Sequence, residues 1–321
     1  MNLQEFFSTY SNEQVCRDYF KQQREGKGIT CKQCGHTSHL WIDKQNKWQC
    51  RKCKYRTGLK YGTVMENSNL NYRLWLWALY LMSLTKKGFS ALEMQRLLGH
   101  HRYEPIWYLM QKIRMSMGNR DAGYKLTEYI EMDEGFFEGH RKKDNLQEPN
   151  AKPVKELDRQ VKAIVAVSTI PVPPDKQKQH RPKTKAGYLK MSVVDSLSSN
   201  EVHYEAQKML DTSAKVRTDR RTCYRALQHI VAEHKEIVVK NKKEVSSIFP
   251  WVHTAISNAK RKILGLHHQV KDCYMQNYLN EFCYKFNRRF FGEKLFDRLV
   301  VATISAPWHT KLSNSGYSLK F

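Results

Sequence analysis

Two aspartates, Asp133 and Asp219, and four cysteines, Cys31, Cys34, Cys50 and Cys53, have the types and spacing that could do chemistry. The cysteines form two Cys-x2-Cys pairs with fifteen residues between them. Four thiolates at this spacing close a tetrahedral zinc site. Such a site has no open coordination position, so its expected role is folding rather than catalysis. Asp133 follows Ile130 and Met132, which alternate with Glu131, the period of a half-buried strand. Asp219 closes Ala214-Lys-Val-Arg-Thr-Asp219, a second strand candidate. If the two strands are parallel neighbours, the carboxylates meet. Paired carboxylates can hold two divalent ions, Mg2+ or Mn2+, for phosphodiester cleavage.

The elements that must position these residues follow in order. Residues 1–25 read as an N-terminal helical segment, with Ser11 and Gln14 resembling a capping box. Residues 26–62 read as a zinc ribbon that could present Lys52, Lys54 and Arg56 to DNA. Residues 68–122 read as a helix-turn-helix bundle, with a cap at Ser90, a stop at Gly99, and Arg102, Lys112 and Arg114 as basic contacts. From residue 127 the period changes from helical to alternating. Strands are expected at 128–133, 161–169, 188–195 and 214–219, then a helix at 221–233 and a strand at 236–240. That order fits an RNase H-like α/β domain with a mixed five-stranded sheet, spanning 127–300. Asp195 reads as structural, the connection at 140–160 as polar, 170–187 as an exposed hairpin loop, and 301–321 as a tail. The expected class is therefore α+β and multidomain.

Composition narrows the partner. The chain has 321 residues, 55 Lys plus Arg against 31 Asp plus Glu, and a net charge of +24. An excess of that size, interleaved with aromatics along the whole chain, points to a polyanion and excludes an ordinary enzyme of small metabolites. A hydrophobic content of 40% supports a real core. Met1 to Tyr10 lacks the apolar run of a signal peptide, and Leu74 to Leu84 is too short to span a bilayer. Eight cysteines without a secretion signal suit metal ligation in a reducing compartment. The expected location is the cytoplasm of a bacterium or archaeon, at the nucleoid.

The combined motifs resemble DDE-type insertion-sequence transposases of the zinc-ribbon group. The resemblance runs from Cys16 to about Leu299. It is carried by the two Cys-x2-Cys pairs, Gly88-Phe-Ser-Ala91, Glu131-Met-Asp-Glu134, Thr218-Asp219, His253-Thr-Ala-Ile-Ser-Asn-Ala-Lys260, Gly265-Leu-His-His268 and Tyr278 to Arg289. It implies two divalent ions, cut-and-join chemistry on transposon ends, and a homodimer or higher oligomer. Asp133 and Asp219 match the first two acidic positions. Asn258 and Lys260 match an Asn-x-Lys variant of the third, with Asn258 as a third magnesium ligand and Lys260 contacting a phosphate. Glu281 is the rival for that place, with Lys285, Arg288 and Arg289 as a basic DNA-steering face. Glu134 would point to the opposite side of its strand, away from a shared metal. Two other functions compete: a DNA-binding regulator with a vestigial nuclease fold, and an RNase H-like repair nuclease. Paired aspartates argue against the first, and the N-terminal DNA-binding modules against the second.

Overall fold

The alternation read at Ile130 and Met132 continues through a strand twice as long as expected. A computed structural model describes residues 1–140, 160–174, 183–238, 248–267 and 270–305. The 140–160 connection, part of the 170–187 loop, His268 and residues 306–321 lie wholly or mainly outside these. Two compact units emerge: one joins Met1–Arg120 with Phe290–Phe321, the other is Asp121–Arg289.

In the first unit, α1 (Leu3–Thr9) and α2 (Glu13–Lys27) precede a three-stranded ribbon. Its strands are β1 (His39–Ile42), β2 (Lys47–Cys50) and β3 (Arg56–Gly58), all antiparallel. The cap of α2 is Asn12, whose side chain accepts from Gln14 N–H, rather than Ser11. Three helices follow: α3 (Tyr72–Leu84), α4 (Ala91–Leu98) and α5 (Tyr103–Ala122). Helix α4 begins with the expected Ser90–Glu93 capping box and ends at Gly99, whose φ of 63° is the left-handed geometry that favours glycine. The last described helix, Lys294–Ser305, joins this unit instead of the sheet domain. Its Phe296 packs edge-on to Phe6 and Tyr80, and Thr303 O accepts from Val64 N–H. The second compact unit ends at Arg289.

The second unit is built on β4 (Tyr129–His140), β5 (Gln160–Pro171), β6 (Thr184–Val194), β7 (Lys215–Asp219) and β8 (Glu233–Ile237). Their order is β6-β5-β4-β7-β8, antiparallel on the first side of β4 and parallel on the second. This is the mixed five-stranded sheet of an RNase H-like catalytic domain. Helix α6 (Ser199–Met209), capped by Ser198, makes the crossover from β6 to β7 and was not among the expected elements. The expected helix at 221–233 is a 3-10 segment, Thr222–His229, and the last strand starts three residues early. Helices α7 (Pro250–His267) and α8 (Asp272–Asn287) cover one face, with the short β9 (Val270–Lys271) between them pairing with the end of β4.

The faces sort by strand period. Ile130 and Met132 join Ile164, Ala166, Val202 and Val216 in one core. Phe137 joins Val165, Leu189, Val252 and Leu279 in the other, under α7 and α8. Glu131 and Asp133 share the parity of Phe137, so both rise toward α7. No helix among the described residues is long and apolar enough to cross a membrane.

Candidate active site and zinc centre

The register of β4 and β7 brings the two aspartates together. Their last paired residues are Glu131 and Arg217. Asp133 and Asp219 each stand two residues further on, at the same level and on the same side. Past Glu131 the described pairing with β7 stops, so β4 has an open edge there. Glu134 turns from the opposite face into that gap. Ligand atoms of Asp133, Glu134 and Asp219 all lie within 4.8 Å of one another. The expectation for Glu134 is thereby corrected: it keeps the opposite parity in its pairing with Ile164 of β5, but with no β7 residue beside it the side chain reaches around the free edge to the carboxylates.

Glu134 is held from both sides. The Tyr224 hydroxyl donates to its Oε2 at 2.8 Å, and Arg221 pairs with its Oε1. Burial keeps the Tyr224 phenol protonated far above its usual range, so it remains a donor. Burial first, and the Glu134 charge second, push the Asp133 carboxyl up to about 7. The same two causes raise Asp219. Mutually repelling carboxylates in a half-buried gap are the donor set that a hard divalent cation neutralises, so the residues fit Mg2+ or Mn2+.

Glu131 was not among the expected site residues, yet it sets the geometry. It is fully buried, pairs with Arg217 at 3.3 Å, and accepts from the backbone N–H groups of Trp251 and Val252 at 2.9 and 3.0 Å. A carboxylate thus caps the first turn of α7. His253, next in sequence, stands with Nδ1 3.5 Å from Asp133 Oδ2. A sequence signal existed in the adjacency of His253 to the Asn-x-Lys motif, but nothing in its spacing assigned it a role.

The third-position candidates lie elsewhere on α7 and α8. Asn258 Oδ1 accepts from Arg261 at 2.6 Å. Helical geometry sets Asn258 about 140° around α7 from His253, and Lys262 about 180° around. Lys262 reaches Glu281 on α8 at 3.2 Å, so Asn258 is on the flank turned toward α8. Lys260 is exposed and only about 20° from His253, two turns on. Glu281 is 2% exposed and ion-paired to Lys262 and to Lys285, the latter at 2.8 Å. It belongs to a buried ion-pair stripe, not to the acidic cluster.

The expected basic contacts divide. Lys52, Lys54, Arg56 and Arg102 are exposed. Lys112 and Arg114 are buried, and Lys112 donates to Glu66 O at 2.8 Å. Lys285 is buried against Glu281, Arg288 pairs with Asp121 at 2.7 Å, and Arg289 donates to the carbonyls of Ala186, Gly187 and Phe286. These five side chains are committed to the fold, because a buried cation keeps its partners. Periodicity alone could not separate them from a DNA-facing stripe.

In the ribbon, the thiols of Cys31, Cys34, Cys50 and Cys53 converge within 4.8 Å. Cys31 Sγ is 3.5 Å from Cys53 Sγ, and Cys34 Sγ is 3.6 Å from Cys50 Sγ. A tetrahedron with Zn–S bonds of about 2.3 Å has S–S edges of about 3.8 Å, so the four thiols fit zinc.

An RNase H-like domain with clustered carboxylates, preceded by a four-cysteine ribbon and a helical region, is the architecture expected of a DDE-type transposase. Residues 125–287 match the ISXO2-like transposase domain, and residues 11–56 match the transposase zinc-ribbon domain. The chain belongs to the ISXO2-like transposase family. No curated protein matches it.

Proposed function

We propose that this chain binds the terminal inverted repeats of a transposon and carries out strand cleavage followed by strand transfer. The convergence of Asp133, Glu134 and Asp219 at the open edge of β4 carries this reading. Divalent ions bound there would polarise the scissile phosphate and lower the pKa of the attacking water. Asp133 and Asp219 are the carboxylates that would hold them. Tyr224 and Arg221 fix Glu134 as a further carboxylate beside them. Water is the first nucleophile, displacing the 3′-oxygen of the transposon strand. The freed 3′-hydroxyl is the second, attacking a phosphodiester of the target and displacing its 3′-oxygen. Lys260, exposed on the flank of α7 that bears His253, is suited to a DNA phosphate near the reacting centre.

DNA recognition is proposed for the ribbon and for the α4–Gly99–α5 unit, with Lys52, Lys54, Arg56 and Arg102 as phosphate contacts. Two ends must be cut together, which calls for a homodimer or larger assembly. The Asn-x-Lys variant is supported by sequence at Asn258 and Lys260. In this structure Asn258 is engaged by Arg261 and Glu281 by lysines, while Glu134 is the third carboxylate beside Asp133 and Asp219.

Incubating the full chain with supercoiled plasmid bearing candidate ends and Mg2+ or Mn2+ tests the reading. End-specific nicking that chelation abolishes is expected. Nicking that is indifferent to the ends, or that persists in excess chelator, would overturn it.

A further inference from the structure

We infer that Arg221 is a catalytic residue that grips a non-bridging oxygen of the phosphodiester brought to the acidic cluster. The inference deepens the proposed DNA-cutting function and rests on it. Strand β7 ends at Asp219, and the 3-10 segment Thr222–His229 begins just after it, with Arg221 as its N-cap. The Arg221 N–H donates to Asp219 Oδ1 at 3.3 Å, which ties the backbone of the arginine to the carboxylate it follows. Tyr224 stands one 3-10 turn further on, so both side chains leave the same side of the segment. Both reach Glu134. The tyrosine hydroxyl donates to Oε2, and Arg221 Nη1 pairs with Oε1.

The guanidinium has capacity beyond these contacts. The Glu134 side chain is 3% exposed and the Arg221 side chain 51%, so a buried carboxylate holds the arginine from one side while the other side meets solvent. Nε stands 3.5 Å from Asp219 Oδ2, a loose pairing. Among the described residues Glu134 and Asp219 are its ion partners, and Nη2 belongs to neither pair. A guanidinium carries five N–H donors in a planar fork that matches phosphate oxygens. Arg221 therefore presents an oriented donor edge where Asp133, Glu134 and Asp219 converge. Three carboxylates by themselves repel a phosphodiester. A cation fixed among them offsets part of that repulsion at the place where the scissile phosphate must lie. Lys285 and Arg288 cannot serve there, because Glu281 and Asp121 hold them inside the fold.

The test is a double-mutant cycle on DNA binding by the full-length, zinc-loaded protein, read by fluorescence anisotropy with Ca2+ in place of Mg2+. One candidate-end duplex carries the native phosphodiester at the cut position, and the other carries a neutral methylphosphonate there. Arg221→Gln should weaken binding of the native duplex about tenfold, the worth of one hydrogen bond to a charged group, and of the neutral duplex less than about twofold. Equal weakening of both duplexes would mean that Arg221 only steadies Glu134, and would overturn the inference while leaving the acidic site standing. Circular dichroism establishes that the variant is folded. If it is not, Arg221→Lys takes its place, because it keeps the charge and loses the fork. Its loss should again be confined to the native duplex, and a loss shared by both would overturn the inference. Wild-type binding that ignores both the methylphosphonate and Asp133→Asn would put the phosphodiester away from the acidic cluster, and would overturn the proposed function together with this inference.

Discussion

Asp133 is where folding and chemistry pull in opposite directions. Its carboxyl is half-buried beside Glu134, and both conditions favour the protonated form, up to a pKa of about 7. The sign of the consequence is definite. A carboxyl raised above its unfolded value of about 3.9 binds more protons in the folded state. Its stabilising contribution is full below about pH 4 and is lost as pH rises through about 7. Metal-free Asp133→Asn should therefore be more stable than the wild type at pH 8, by roughly 2–4 kcal/mol. The difference should shrink toward pH 4 and narrow on adding Mg2+. Thermal melts at the two pH values, with and without metal, measure this. Glu131 gives a second residue-scale prediction. Glu131→Ala strips the cap from α7 and leaves Arg217 unpaired, which should cost about 2–3 kcal/mol and lower strand transfer as β4 and α7 lose their fastening beside Asp133. Denaturant melts and the joining assay read both effects.

At the scale of elements, long periodic segments were legible and irregular ones were not. The alternation of Ile130 and Met132, the Ser90–Glu93 box and the cysteine spacing each carry their own local signal, and each element formed as read. Helix α6 was missed although four residues, Asp195–Ser198, part it from β6 and Ser198 caps it by accepting from Glu201 N–H, a signal the sequence carries. Glu134 was misjudged because parity fixes the face a side chain leaves from, not where a long side chain ends, and β7 pairing stops before it and leaves an edge to reach around. Lys285, Arg288 and Arg289 look like a DNA-facing stripe in sequence. Only the packing of α8 reveals Glu281, Asp121 and the β6 carbonyls as their partners. Gly139 is a local requirement of the same kind. A Cβ there would run into the Asp272 carboxylate and stand 2.6 Å from Val161 Cγ2, where β9 joins β4. Gly139→Ala should lower the melting temperature by several degrees, through a cost of about 1–3 kcal/mol. Zinc removal should act on the ribbon. A chelator that strips zinc is expected to raise hydrogen exchange across residues 31–58 and to weaken DNA binding, because a four-cysteine ribbon of three short strands folds on its metal.

At the scale of the whole molecule, a net charge of +24 is spent in two ways. Part of it is internal, in Arg114, Lys190 and Lys285. Part faces solvent on the ribbon and on the turn before α5. Only the second part can release counterions from DNA. Replacing Lys52, Lys54 and Arg56 together by alanine should flatten the salt dependence of end binding by about three in log–log slope, at about 0.9 per phosphate contact. Lys285→Ala should leave that slope unchanged while destabilising the fold. Fluorescence anisotropy over a salt series separates the two. The most direct measurement for the account is joining of a labelled transposon-end duplex, already bearing its 3′-hydroxyl, to plasmid DNA in Mn2+. Compared at equal folded concentration, Asp133→Ala and Asp219→Ala should each fall below detectable joining while still binding the end. Joining that persists in either variant would contradict the assignment of these two carboxylates to the reacting centre.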